Sequence, residues 1–67
     1  MKNQIADIEI TLAGIAMIYG VTARGIAWLN RNLAFERWQV HAGGIACEPN
    51  MADAIREGAE NDGLTVA

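Results

Sequence analysis

The chain has 67 residues, of which 52% are apolar, and its formal net charge is −3 at pH 7. This length leaves room for a single small domain, residues 1–67, which buries only about 60% of the surface that its unfolded chain exposes. The apolar fraction excludes a disordered chain, and the acidic balance argues against a dominant attraction to nucleic acid or to an anionic membrane. Extra apolar surface on such a small scaffold is most simply hidden between subunits, so we predict a homo-oligomer, most simply a dimer.

The N-terminal third of the chain fits two interpretations. Apolar and polar residues alternate over Ile8, Ile10 and Leu12, as in a half-buried strand. A helical face is also present, formed by Ile5, Ile8, Leu12, Ile15 and Tyr19. Residues 1–15 therefore stay open between strand and helix, whereas β-branched residues favour a strand over Ala16 to Val21.

A helix is predicted from about Ala23 to Asn32. Thr22 is a good N-cap, because its hydroxyl can accept a backbone N–H of the first turn. Gly25 lowers the helix propensity by about 1 kcal/mol relative to alanine, so its presence predicts close packing at that position. The apolar stripe of this helix would consist of Ile26, Leu29 and Leu33.

Residues 37–48 have the pattern of a β-hairpin. Arg37 to His41 would form one strand and Ile45 to Glu48 the other, with two glycines, Gly43 and Gly44, supplying the positive φ angles of the turn. Pro49 lacks the N–H that a strand ladder needs, so it would end the second strand.

A second helix is predicted between Asn50 as its N-cap and Gly63 just beyond its C-terminus. Leu64 would fold back on the helix end, and residues 64–66 would form a short terminal strand. The apolar face of this second helix would comprise Met51, Ala54, Ile55, Gly58 and Ala59. The predicted fold class is therefore α+β: a small two-layer domain in the order βαββα(β), with two helices packed on a short sheet.

The spacing from Leu12 to Leu29 resembles a helix-turn-helix motif, with a small residue at the helix crossing and a glycine at the turn. In this alternative the protein is a DNA-binding transcriptional regulator, and Thr22, Ala23 and Arg24 contact DNA. Only Arg24 supplies a charged donor there. The sequence therefore makes nucleic acid the less favoured partner.

Protein partners are favoured by a second set of residues. Trp38 is a large amphipathic group that fits an interface as well as a core. Asp53, Glu57 and Glu60 lie three or four residues apart on one helix flank, where they would solubilise the protein or recognise a basic partner. We predict that these four residues bind a partner protein.

Catalytic, cofactor and metal sites are not expected. The chain has no serine, and Cys47 is its only cysteine, so neither an intrachain disulfide nor a paired zinc motif can form. His41, Cys47 and Glu48 could together supply three metal ligands of mixed type. The simpler interpretation is that Cys47 packs in a strand as a small apolar residue. A single unpaired cysteine is typical of a reducing cytoplasm, and the nearly uncharged run from Ile10 to Ala23 is too short to span a membrane.

From Thr22 onward the chain resembles small, uncharacterised accessory proteins of phages and prophages. The resemblance is carried by Thr22-x-Arg24-Gly25-x-x-Trp28-Leu29, Gly43-Gly44-Ile45-Ala46-Cys47-Glu48-Pro49, Gly58-Ala59 and Asp62-Gly63-Leu64-Thr65-Val66. It implies a phage-borne accessory protein, without catalytic residues, that acts in the cytoplasm of the host cell. Small phage proteins of this kind often inhibit a host defence or regulatory protein by binding it.

Overall fold

Two helices lie on one face of an antiparallel sheet in a computed structural model, which describes residues 5–33, 40–41 and 43–67. The sheet has the order β1-β2-β4-β3. In chain order the elements are β1 (Ile8–Ala13), β2 (Ile15–Gly20), α1 (Ala23–Asn32), β3 (Val40–His41), β4 (Gly44–Cys47) and α2 (Pro49–Asn61). The predicted α+β class, with two helices packed on a short sheet, is confirmed, and one further strand precedes the predicted order.

From Ile8 onward the N-terminal ambiguity is settled in favour of strands, while residues 1–4 lie outside the described part of the chain. β1 and β2 form a tight hairpin around Gly14, whose φ is 82°, and Ile10 pairs with Ile18 at its centre. β2 also pairs with β4, so that it is an inner strand of the sheet. A helix would bury one stripe of these apolar residues, whereas an inner strand buries the alternate residues Ala16 and Ile18 completely.

The helix-turn-helix prediction for Leu12 to Leu29 is therefore wrong as a description of the backbone. Its first half is the end of β1 followed by β2, and only its second half is a helix, α1. The spacing matched because residues at four-residue intervals, here Leu12, Ala16 and Gly20, share one side of either a helix or a strand. The backbone hydrogen bonds of β2 to β1 and β4 decide between them.

The core lies between the helices and one sheet face. It comprises Ile8, Ala16, Ile18, Trp28, Leu29, Cys47, Ala52, Ile55 and Ala59. The predicted stripe of α1 is corrected at Ile26, which is 47% exposed, while Trp28 takes a buried position. The helix is thus rotated about its axis relative to the prediction, because Gly25 is buried and packs against the backbone of Asp7. The close packing predicted at Gly25 is confirmed.

The apolar face predicted for α2 is also shifted. Met51 and Ala54 are exposed, whereas Ala52, Ile55 and Ala59 are buried. The N-cap of the helix lies two residues earlier than predicted, at Glu48 instead of Asn50. Pro49 occupies the first turn because it needs no N–H partner there and its fixed φ suits a helix.

The C-terminal end of α2 matches the prediction. Gly63 has a φ of 91°, its N–H donates to the carbonyl of Glu60, and Leu64 N–H donates to the carbonyl of Ala59. This is a Schellman motif, and Leu64 packs against the core. Beyond it the chain returns to the sheet, where Val66 forms a parallel bridge with Ile8.

The predicted hairpin is confirmed where the structure describes it. Val40 pairs with Ile45 and His41 with Gly44, while residues 37–39 and 42 lie outside the described part of the chain. Of the two turn glycines, only Gly43 has a positive φ, of 82°. Gly44 is instead a buried strand residue, which corrects its predicted role in the turn.

Candidate functional site

The acidic flank of α2 consists of Asp53, Glu57 and Glu60, and all three side chains are exposed. The helix presents them because Ala52, Ile55 and Ala59 bury its opposite side. The single basic residue of α2, Arg56, is half-buried and its Nη1 donates to the carbonyl of Val66 at 3.4 Å; among the described residues it forms no salt bridge with this flank. The flank is therefore a concentrated negative surface on the helical layer.

These charges do not help the helix that carries them. A helix C-terminus has partial negative charge, so Glu60 in the last turn is unfavourably placed, and α2 has no basic residue in that turn. Like charges three residues apart repel each other as well. The acidic flank has a stability cost within the fold, which an external basic surface would offset.

Trp38, the fourth residue predicted to bind a partner, lies outside the described residues. The structure therefore brings together three of the four predicted residues on one helix.

The residues predicted to contact DNA are largely engaged within the protein. Thr22 caps α1 by accepting the N–H of Gly25 at 3.1 Å, and its hydroxyl donates to Asp7 Oδ1 at 2.6 Å. Arg24 Nη2 donates to Asp7 Oδ2 and to the carbonyl of Gly63, each at 2.9 Å. Ala23 is exposed in the first turn of α1. Thr22 and Arg24 thus hold the fold together at this point.

Asp7 is the centre of that arrangement, and sequence analysis did not single it out. It is a carboxylate with 5% exposure that accepts hydrogen bonds from Thr22 and Arg24 and from the backbone N–H of Thr65, the last at 3.0 Å. These donors, with Arg24 contributing most, hold the pKa of Asp7 well below its usual range. The local signal was an aspartate just before an alternating strand, but its partners are 15 to 58 residues away.

The chemistry of Asp7 is that of a structural anion. Its two oxygens accept four hydrogen bonds, and no buried side-chain nitrogen or oxygen in the described part of the chain lacks a partner. A carboxylate with a lowered pKa that is already hydrogen-bonded on both oxygens is a weak base. The geometry supports a clamp joining the N-terminus, α1 and the C-terminal segment.

Trp28 forms a second link between distant elements. Its ring is buried against the core with 4% exposure, and its Nε1–H donates to Asp62 Oδ2 at 2.7 Å. The indole therefore ties α1 to the end of α2. Asp62 follows the acidic flank in the sequence, but we do not count it as part of the flank, because its carboxylate is hydrogen-bonded to Trp28.

Cys47 is buried at the end of β4. Burial, with a smaller contribution from the charge of Glu48, raises the pKa of its thiol, so the reactive thiolate is disfavoured. Among the residues that the structure describes, no group of three or more His, Cys, Asp or Glu side chains is placed to hold a metal ion. The side chain of His41 lies outside those residues.

A groove of about 320 Å³ runs between α1 and the sheet. Its lining is mostly apolar, with Ile18 and Leu29 at its base and the half-exposed Ile26 at its rim. Asn30 is the single lining residue with a polar side chain, and none of the lining residues is titratable. Among the described residues, the groove lining therefore offers no acid, base or nucleophile to a bound molecule.

Comparison with known proteins finds no matching family model, no matching curated protein and no matching solved structure. Neither helix in the described part of the chain has the length and apolar character needed to cross a membrane.

Proposed function

We propose that this chain is a non-enzymatic binding protein, encoded by a phage or prophage, that inhibits or modulates a host protein by covering a basic surface on it. The observation that carries the proposal is the acidic flank of α2, three exposed carboxylates of like charge, of which Glu60 lies in the last turn, where negative charge is unfavourable. The proposed mechanism is steric and electrostatic, and the proposed site of action is the cytoplasm of the host cell. Trp38, predicted from the sequence alone, is proposed as an apolar anchor in addition to the charged contacts.

The flank is suited to recognition by charge because it is exposed and regularly spaced. Asp53, Glu57 and Glu60 follow one another at four- and three-residue intervals, so they lie along about two turns of one helix flank. A row of lysine or arginine side chains on a partner would meet all three carboxylates. Such complementarity chiefly raises the association rate and the specificity, and it weakens as salt screens the charges.

The test begins with capture of host proteins on the immobilised chain, followed by titration of each captured and purified protein. The double variant Glu57→Lys with Glu60→Lys is expected to weaken partner binding at least about 10-fold at low salt. The same variant should keep or slightly raise the thermal midpoint, because lysine is favoured near a helix C-terminus. Loss of binding would then not be explained by unfolding.

Single variants provide a matched control for charge. Glu57→Lys and Glu9→Lys change the net charge equally, but Glu9 is exposed on the sheet, away from α2. Binding should fall with Glu57→Lys and stay unchanged with Glu9→Lys. Equal effects of the two variants, or unchanged binding by the double variant, would show that the acidic flank does not recognise the partner.

Duplex DNA is the probe for the alternative of a DNA-binding regulator. A salt series with random duplex DNA should show no retention at about 50 mM salt, where non-specific binding is strong for proteins that neutralise phosphates. Retention that falls steeply with salt and is weakened by Arg24→Ala would instead support DNA binding and contradict the proposal.

A further inference from the structure

The sheet has a second face that no described helix or strand covers. We call it the open face; it consists of the strand residues that point away from the helices, namely Glu9, Thr11, Ala13, Ile15, Met17, Tyr19 and Ala46. Their side follows from the register, because the alternate residues Ile8, Ala16, Ile18 and Cys47 belong to the core. Ile15 on this face is 49% exposed, and Met17 and Tyr19 are partly exposed.

The open face is flat at its centre. A Cβ at Gly44 would lie 2.6 Å from Cε1 of Tyr19 and 3.0 Å from Cε of Met17. These two side chains therefore lie across the neighbouring strand, over the glycine, instead of standing upright from β2. A flat, largely apolar sheet surface of this kind is the inner face of a β-sandwich when a second sheet packs on it.

The near absence of described charged side chains on the open face indicates which kind of partner packs on it. Of the charged side chains that the structure describes, Glu9 alone lies on the open face; the others lie on the helices or at their ends, apart from Asp7, which is clamped at the sheet edge. A basic or acidic partner would gain almost no charge contacts on this surface. Two copies of a chain with a net charge of −3, in contrast, repel each other least when they meet through this nearly uncharged surface, because the acidic flanks on the two helical layers then lie farthest apart.

We propose that the open face is a homodimer interface in which the sheets of two copies pack face to face, with the strands of the two copies antiparallel. The two-fold axis would run across the strands, along the line of Thr11, Met17 and Ala46, which are paired neighbours in the register. Each of these residues then faces its own counterpart. Glu9 of one copy faces Ala13 of the other, so the single charge on the face meets no like charge.

The interface is small, which sets the expected affinity. Two strands of six residues and one of four give a footprint on the order of 20 by 15 Å, or roughly 300 Å², per copy. This is below the roughly 800 Å² per partner of a standard interface, so we expect a weak dimer with a dissociation constant on the order of 100 μM. The acidic flank lies on the opposite layer and stays accessible in this dimer, so dimerisation and partner binding are separate properties with separate tests.

Thr11 provides the decisive variants because it is exposed and lies on the proposed axis. Thr11→Glu and Thr11→Lys each place two like charges against each other, and each is expected to raise the dissociation constant at least about 100-fold. An equimolar mixture of the two variants should restore a dimer of twice the 7.2 kDa chain mass, because glutamate then faces lysine. Sedimentation equilibrium measures all three, with circular dichroism recording that each variant is folded.

Ala54→Glu is the matched control, since Ala54 is exposed on α2 in the other layer and should leave the dimer intact. Two results would overturn the proposal: a wild-type chain that stays monomeric up to about 1 mM, or a dimer that the Thr11 variants leave unchanged. A mixture of the Thr11 variants that stays monomeric would overturn the two-fold axis through Thr11.

Discussion

Gly25 shows how one residue determines the way in which a helix seats on the rest of the fold. A Cβ at this position would overlap the carbonyl oxygen of Asp7, far inside the van der Waals contact distance of the two atoms. The same carbonyl accepts the backbone N–H of Val21 at 2.9 Å, so it has no freedom to move away. The glycine is therefore required by a close approach of two backbones, as its low helix propensity already indicated.

Gly25→Ala is expected to lower the free energy of unfolding by about 1–3 kcal/mol, since overpacking outweighs the gain in helix propensity. Gly58→Ala is the matched control, because a Cβ there would make ordinary contact with the Trp28 ring at 3.4–3.5 Å. That variant should be neutral or stabilising by up to about 1 kcal/mol. Urea titration measures both, and equal effects would contradict the packing assigned to Gly25.

At the scale of the element, the beginning of α1 is determined by one side chain in two roles. The Thr22 hydroxyl accepts from the Gly25 N–H and donates to Asp7, so it caps the helix and attaches the helix to the N-terminal segment. The sequence signal for the cap was local and therefore readable. The second role was not readable, because it depends on a carboxylate 15 residues earlier.

Thr22→Ala should lower the free energy of unfolding by about 1–2 kcal/mol, because the first turn of α1 loses its acceptor. Thr22→Ser retains the hydroxyl and should recover most of that loss. Chemical denaturation of the three proteins under identical conditions checks the prediction. If the serine variant were as unstable as the alanine variant, the methyl group and not the hydroxyl would carry the contribution of Thr22.

At the scale of the whole molecule, Asp7 joins segments that are far apart in the sequence. Its carboxylate and backbone together contact α1, the loop before it and the C-terminal segment at Thr65. In a domain this small, where Ile8 and Ile18 are the only large side chains that are fully buried among the described residues, one such polar centre carries much of the tertiary order.

Stability should therefore fall in acid. The pKa of Asp7 is lower in the folded than in the unfolded state, so its contribution is complete above the unfolded value, near 3.9, and is lost as the pH falls below it. Asp7→Asn should be less stable than wild type at pH 7, and this difference should shrink toward pH 3. Thermal melts of both proteins across this range test it; a constant difference would contradict the role of the carboxylate.

Charge is also distributed at the scale of the whole molecule. The acidic flank lies on the helical layer and the nearly uncharged open face on the sheet layer, so the two proposed interactions use opposite sides of the domain. This arrangement depends on which face of the sheet the helices cover. The alternation of apolar residues in β2 leaves that choice undecided, because both of its faces are largely apolar.

The sequence by itself determined the α+β class, the bounds of α1, the cap at Thr22, the Schellman end of α2 at Gly63 and the exposed acidic flank. These features depend on residues within a few positions of one another, where capping, turn geometry and helical spacing act. The tertiary structure decided that Leu12 to Leu29 is not a helix-turn-helix, that Trp28 and not Ile26 enters the core, and that Asp7 is a buried clamp. Each of these depends on pairing or packing with segments remote in sequence, whose proximity no local pattern records.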